Sequence, residues 1–146
     1  MIASGGPRNS APGTLTRLLF DAVATYHKPD ALQVKRNGRY RPISHDTLLE
    51  RIRRTAFGLE DLGVRAGDRV AILSENCPEW AITDYACLTL GATDVPIYPN
   101  LPSDQICYIL RDSGAVAIFV SSAEQAAKVA TVRAECSALR RVITFE

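Results

Sequence analysis

The cysteines of this 146-residue chain lack the spacing of a metal site or of a redox motif. No C-x-x-C pair is present, and neither histidine is placed to complete a zinc pattern with a cysteine. The sequence therefore gives no support for a zinc site. It predicts reduced thiols in the core of a cytosolic protein at all four positions, Cys77, Cys87, Cys107 and Cys136.

The chain also lacks an excess of charge. Its formal net charge of +1 gives no field that would attract nucleic acid or an anionic membrane, so neither is expected as a partner. The densest basic cluster, Arg51, Arg53 and Arg54, lies on the polar side of a predicted helix. A solvated helix face explains this cluster better than a phosphate or lipid patch, because such faces are common.

Long apolar runs are missing, so no transmembrane segment is predicted. Residues 1–13, MIASGGPRNSAPG, have no apolar signal-peptide core, and we expect a disordered leader there. Within it, residues 4–8 (SGGPR) faintly resemble a phosphate loop. No strand precedes them, as such a loop requires, so a structureless leader is the favoured interpretation.

What the chain does contain is a regular α/β pattern, clearest between residues 69 and 102. Residues 70–73 are apolar at consecutive positions, which is typical of a parallel strand covered on both faces. Pro78 suits a first helical turn, and apolar residues then occupy most of the helical circumference up to Leu90. The pattern predicts a helix enclosed by protein that ends at Gly91.

The flanking sequence continues this alternation. Asn37 and Gly38 indicate a tight β-hairpin, and Pro96 places its strand at an edge, an end or a bulge. We predict helices at 15–26, 44–62, 77–90, 103–113 and 122–136, and strands at 31–34, 40–43, 70–73, 95–98, 116–120 and 142–145. The fold class is therefore α/β: a partial doubly wound, mostly parallel sheet with flanking helices and an N-terminal β-hairpin.

Three segments carry a family resemblance. Residues 40–62 (YRPISHDTLLERIRRTAFGLEDL), 68–86 (DRVAILSENCPEWAITDYA) and 90–110 (LGATDVPIYPNLPSDQICYIL) resemble the opening of the adenylate-forming, AMP-binding enzymes. The similarity covers residues 15–146. N-C-P-E-W at 76–80 and V-P-I-Y-P followed by L-P-S-D-Q-I at 95–106 are most like bacterial long-chain fatty acid–CoA ligases. Asn100 departs from the small hydroxyl residue that many members carry.

This resemblance implies a two-step reaction. A fatty acid carboxylate attacks the α-phosphate of ATP, and the thiol of coenzyme A then displaces AMP, with magnesium neutralising phosphate charge. The family's phosphate loop, adenine and magnesium motifs, ribose-binding aspartate and catalytic lysine match no residue here. We therefore assign no catalytic, cofactor-binding or metal-binding residue, and expect no cofactor to bind to this chain alone.

Residues 14–146 are accordingly expected to form an incomplete N-terminal portion of the ligase large domain, inactive alone, with the remainder of the ligase as partner. Uncovered apolar surface and a strand edge would favour self-association. A cytoplasmic location is expected, with peripheral membrane association left open for the full-length enzyme. The alternative is a free-standing, non-catalytic interaction or regulatory module derived from such a ligase.

A few residues invite a functional interpretation beside a structural one. Residues 74–76 and 121–122 follow parallel strands, where open α/β sheets bind ligands, but helix capping is favoured for them. Trp80 suits an acyl tunnel, although an aromatic residue on an apolar helix is more often core. His27 and His45 are expected to be ordinary polar positions.

Overall fold

The computed structural model describes residues 13–145. The SGGPR segment lies outside the described residues, and so does the predicted leader except for Gly13. The elements follow the predicted order: α1 Leu15–Tyr26, β1 Leu32–Arg36, β2 Arg39–Ile43, α2 His45–Asp61, β3 Arg69–Leu73, α3 Pro78–Leu90, β4 Thr93–Ile97, α4 Ser103–Ser113, β5 Ala117–Val120, α5 Ala123–Val132, a 3-10 helix Arg133–Glu135 and β6 Arg141–Thr144.

The N-terminal hairpin forms where the turn residues predict it. β1 and β2 pair antiparallel, and Asn37 and Gly38 between them have φ angles of 51° and 76°. A type I′ turn needs positive φ at both central positions, which Asn and Gly tolerate. Ser44 then caps α2, its hydroxyl accepting a hydrogen bond from the Thr47 N–H at 3.1 Å.

The second sheet is parallel throughout, with strand order β4-β3-β5-β6. This arrangement confirms the predicted fold class. Pro96 lies in β4, an edge strand, where its missing N–H removes no hydrogen bond to an outer neighbour. β4 begins two residues earlier than expected, and Tyr98 lies beyond its end with 77% of its surface exposed.

Helices cover both faces of this sheet. α2 and α3 pack on one face, against Val70 and Phe119, while α4 and α5 pack on the other, against Leu73 and Val120. Because successive strand residues point to opposite faces, both sets must be apolar. The consecutive apolar run of β3 is explained by this double burial.

Helix α3 is enclosed as its sequence predicts. Along its 13 residues only Thr89 is exposed, and it ends at Gly91, which has a φ of 72°. Helix α5 is shorter than predicted. It ends at Val132, where the backbone tightens into the 3-10 helix, so Cys136 lies just beyond the 3-10 helix rather than in α5.

Candidate functional site

The loops after β3 and β5 meet at one edge of the parallel sheet. These strands are neighbours, yet the helices that follow them, α3 and α5, pack on opposite faces. The chain therefore diverges between them. In open α/β sheets a ligand crevice forms at such a point, outside the carboxyl ends of the strands.

A hydrogen-bond network joins these loops around Glu75. The hydroxyl of Ser121 donates to Glu75 Oε2, and Gln125 Nε2 donates to Glu75 Oε1 at 3.4 Å. The same Nε2 donates to the Pro99 carbonyl at 3.0 Å, which also accepts from Lys128 Nζ at 2.7 Å. Three loops, those after β3, β4 and β5, are thus fixed to one another.

The network keeps the Glu75 carboxylate ionised. Its pKa is lowered from the usual value of 4.5, chiefly by the hydroxyl of Ser121 and then by the residue's own backbone N–H, with smaller contributions from Gln125 and from the Lys128 charge. A fixed negative charge consequently lies at the edge of the sheet at neutral pH.

Gln125 is the residue that sequence reasoning missed. It is 3% exposed, although glutamine in the first turn of a helix is usually at the surface. Its Oε1 accepts no hydrogen bond from the described residues, while its Nε2 serves two acceptors. No sequence signal distinguishes it, because both acceptors come from distant loops.

An open cleft of about 630 Å³ adjoins Glu75. Its polar wall is the turn after β3, and its apolar wall comes from α3 and the end of β4. Trp80 lies on the apolar wall, half-buried and outside both core clusters, so the favoured core assignment for Trp80 is wrong. The lining residues are Ser74, Glu75, Asn76, Trp80, Pro96, Ile97, Tyr98 and Pro99.

Helix capping, the favoured interpretation for the strand-end polar residues, holds for one of them. Ser122 caps α5, accepting from the Gln125 N–H at 3.3 Å, whereas Ser121 binds Glu75 instead. α3 has no side-chain cap: the Ser74 hydroxyl donates to the Glu75 carbonyl at 2.7 Å. The capping interpretation is therefore wrong for residues 74–76.

The two histidines shape the junction of α1 and α2. His27 ends α1 with a φ of 43°, and its Nδ1 lies 4.0 Å from a carboxylate oxygen of Asp46. His45 Nδ1 accepts from the Lys28 N–H at 3.2 Å, and the His45 N–H donates to the Lys28 carbonyl at 2.9 Å. Both imidazoles occupy structural polar positions, as predicted.

The arginine cluster of α2 is a solvated face. Arg51, Arg53 and Arg54 are all exposed, and Arg54 pairs with Glu50 one turn earlier. Exposed pairs of this kind contribute little to stability. The predicted solvated helix face is confirmed.

The sheet edge does not fit the triphosphate and magnesium that the resemblance implies. The ionised Glu75 would repel phosphate, and the Lys128 ammonium is held by the Pro99 carbonyl and lies 3.8 Å from Glu124. Residues 13–145 contain no group of three or more His, Cys, Asp or Glu side chains able to hold a metal ion. Within the same residues, no helix is both long enough and apolar enough to cross a bilayer.

Two CoA ligases match part of this chain in sequence. The chain is 46% identical over 92 residues to the long-chain-fatty-acid–CoA ligase FadD15 of Mycobacterium bovis, which covers 63% of this chain and 15% of the relative. It is 39% identical over 111 residues to the crotonobetaine/carnitine–CoA ligase of Salmonella typhimurium, covering 75% of this chain and 21% of that protein. The chain thus spans about a fifth or less of the length of these relatives.

Solved structures agree with the sequence relatives. A putative long-chain-fatty-acid CoA ligase from Rhodopseudomonas palustris superposes with a TM-score of 0.80 at 28% identity, over 92% of this chain and 33% of that one. A Mycobacterium tuberculosis fatty acyl CoA synthetase gives 0.77 at 26% identity, over 89% and 26%. The family model described as AMP-binding enzyme matches residues 20–146. The resemblance is confirmed, and the chain belongs to the AMP-binding enzyme family.

Proposed function

We propose that this chain supplies the first part of the large domain of an ATP-dependent long-chain fatty acid–CoA ligase and has no ligase activity alone. The observation that carries the proposal is the 46% identity with FadD15, whose name states the long-chain fatty acid activity. The complete reaction joins a fatty acid to coenzyme A and releases AMP and pyrophosphate. ATP, magnesium and coenzyme A are then cofactors or substrates of the longer enzyme.

The charge at the sheet edge supports a scaffold role. An adenylating site must stabilise negative charge developing at the α-phosphate, which requires cations and hydrogen-bond donors. Glu75 supplies the opposite charge, and Lys128 is already bound to Pro99. Phosphate chemistry therefore belongs, in this proposal, to the polypeptide that the longer relatives carry in addition.

The cleft beside Glu75 suits the apolar part of the substrate. Trp80 and Ile97 provide apolar wall, while the carboxylate of Glu75 would repel the carboxylate of a fatty acid. A fatty acid would consequently approach this wall with its hydrocarbon tail. The proposed contribution of this chain is one wall of the acyl site, in a cytoplasmic enzyme.

A chimeric enzyme tests the proposal. Residues 20–146 replace the corresponding segment of Mycobacterium bovis FadD15, and AMP release is measured with palmitate, ATP, magnesium and coenzyme A. We expect the chimera to be active and the isolated chain to be inactive. The matched control carries the same residues in a crotonobetaine/carnitine–CoA ligase, which should not acquire palmitate activity.

Two results would contradict the proposal. One is a folded FadD15 chimera without activity on any acid, which would favour the free-standing module instead. The other is AMP release by the isolated chain. A Trp80→Ala version of the active chimera adds a finer test. If Trp80 forms part of the acyl wall, the substitution should raise the KM for palmitate more than it raises the KM for a short-chain acid.

A further inference from the structure

Two thiols touch in the core between α4 and the 3-10 helix. Cys107 lies in the second turn of α4, and Cys136 follows the 3-10 helix, 29 residues later. Their sulfur atoms are 3.9 Å apart, and the residues are only 6% and 4% exposed. In a disulfide the two sulfur atoms are about 2 Å apart, so the two thiols would have to approach each other by about 2 Å to form the bond.

One of the two thiols can be reached from solvent. A surface cleft of about 610 Å³ has Cys107 in its wall, and Cys136 is not part of that wall. A small solute entering the cleft would therefore meet Cys107 first. The other lining residues are Asp104, Tyr108, Arg111, Asp112, Val132 and Glu135.

The charge of the cleft selects the kind of oxidant. Three carboxylates and one guanidinium line it, so an anionic oxidant such as glutathione disulfide is repelled and a neutral one is not. Burial, followed by the neighbouring Cys107, raises the pKa of Cys136 to about 11. A thiol with a raised pKa is the poorer nucleophile, so Cys107, which lines the cleft, attacks the oxidant first.

We propose that Cys107 and Cys136 form a disulfide modification site that hydrogen peroxide oxidises. The Cys107 sulfur attacks a peroxide oxygen, the O–O bond breaks, and a sulfenic acid and water result. The Cys136 sulfur then attacks the Cys107 sulfur, and the S–O bond breaks. The departing hydroxyl takes the Cys136 proton and leaves as water, so two electrons in total pass from the thiols to peroxide.

The bond would join α4 to the segment that leads into β6. The loop it closes contains β5 and α5, including Ser121 and Gln125. Cross-links of this kind restrict the unfolded chain and stabilise the folded one. Oxidation would therefore raise the urea midpoint of the chain, and a thiol reductant would reverse that shift.

Peptide mapping tests the site directly, because residues 70–110 and 134–139 contain no Lys or Arg. The native chain is treated with peroxide, its free thiols are blocked with N-ethylmaleimide, and it is digested with trypsin without reductant. We expect peptides 70–111 and 134–140 to be joined, with the loss of two hydrogen atoms, and to separate on reduction. The same treatment in urea should give mixed pairings.

Variants identify the cysteine within peptide 70–111, which also contains Cys77 and Cys87. Cys87→Ser, a matched buried control, should keep the cross-link, whereas Cys107→Ser and Cys136→Ser should lose it. A cross-link that survives Cys107→Ser would overturn the proposal. So would a native wild-type chain that forms no cross-link under conditions that cross-link the unfolded chain, a result that requires no variant to fold. Faster oxidation by glutathione disulfide than by peroxide would overturn the choice of oxidant.

Discussion

Ser121 donates its hydroxyl hydrogen to the Glu75 carboxylate across 46 residues of sequence. The two residues follow the neighbouring central strands β5 and β3, so their bond closes the point where the sheet connections diverge. This bond is the largest cause of the lowered pKa of Glu75. It connects the geometry of the sheet edge to a measurable dependence on pH.

Ser121→Ala should weaken that dependence. A carboxyl group with a lowered pKa adds stability above its unfolded pKa and loses it as the pH falls through the folded value. At pH 7 we expect the variant to be less stable than the wild type by about 0.5 to 1 kcal/mol, allowing for solvent screening. When the pH is lowered from about 5 to about 3, the stability of the variant should fall by less than that of the wild type. Urea unfolding at several pH values measures both. Ser137→Ala, at an exposed serine, is the control and should match the wild type.

Asp84→Asn should change stability in the opposite direction. Burial, and then the neighbouring charge of Asp94, raises the pKa of Asp84 from 3.8 to about 6. A carboxyl group whose pKa is raised by folding stabilises the folded state at a pH below its pKa in the unfolded chain. That stabilisation is lost as the pH rises to the folded pKa of about 6. The variant should gain about 1 kcal/mol at pH 7, after allowance for partial exposure, and lose the dependence between pH 4 and 6. An Asp61→Asn control that gained as much would contradict this account.

Two glycines should respond oppositely to alanine. Gly58 lies in α2 with open space around its Cα and no positive φ, so Gly58→Ala should stabilise the chain by about 0.5 to 1 kcal/mol. Gly91 has a φ of 72°, and an added Cβ would lie 3.3 Å from the Ala66 side chain. Gly91→Ala should destabilise by about 1 to 2 kcal/mol. Thermal melts of both variants provide the comparison, and equal signs would contradict the conformations assigned here.

Self-association should involve the free side of β6. In the described residues β6 pairs only with β5, and the opposite edge strand contains Pro96. The N–H groups of Arg141 and Phe145 donate hydrogen bonds toward β5. Because the N–H groups of successive strand residues point to alternate sides, the N–H group of Thr144 points away from β5. Sedimentation velocity should show concentration-dependent association that Thr144→Pro reduces and Thr144→Val does not. Equal association in both variants would assign the contact to another surface.

Local signals in the sequence were sufficient for most of the fold. These signals act through a residue's own backbone conformation or through a partner within a few residues, so the local sequence is enough to reveal them. The examples are Asn37 with Gly38, Ser44 and Gly91. The sequence predicts a later end for α5 because Cys136 follows Val129 and Val132 at helical spacing, on the far side of the 3-10 helix. Periodicity does not distinguish these two backbones over one turn.

The site depended on contacts that no local pattern encodes. Glu75, Ser121 and Gln125 come together only when β3 and β5 become neighbours, although the polar ends of both strands were recognised from the sequence. The apolar character of α3 around most of its circumference favours a core position for Trp80. Such a helix does not reveal which side borders a cleft.

We propose that this chain is a structural part of a ligase whose phosphate chemistry lies in other residues. The most direct measurement is AMP release from palmitate, ATP, magnesium and coenzyme A, for the isolated chain and for the FadD15 chimera side by side. We expect no AMP above the protein-free rate from the isolated chain and clear turnover from the chimera. Sustained AMP release by the isolated chain, dependent on both palmitate and coenzyme A, would contradict it.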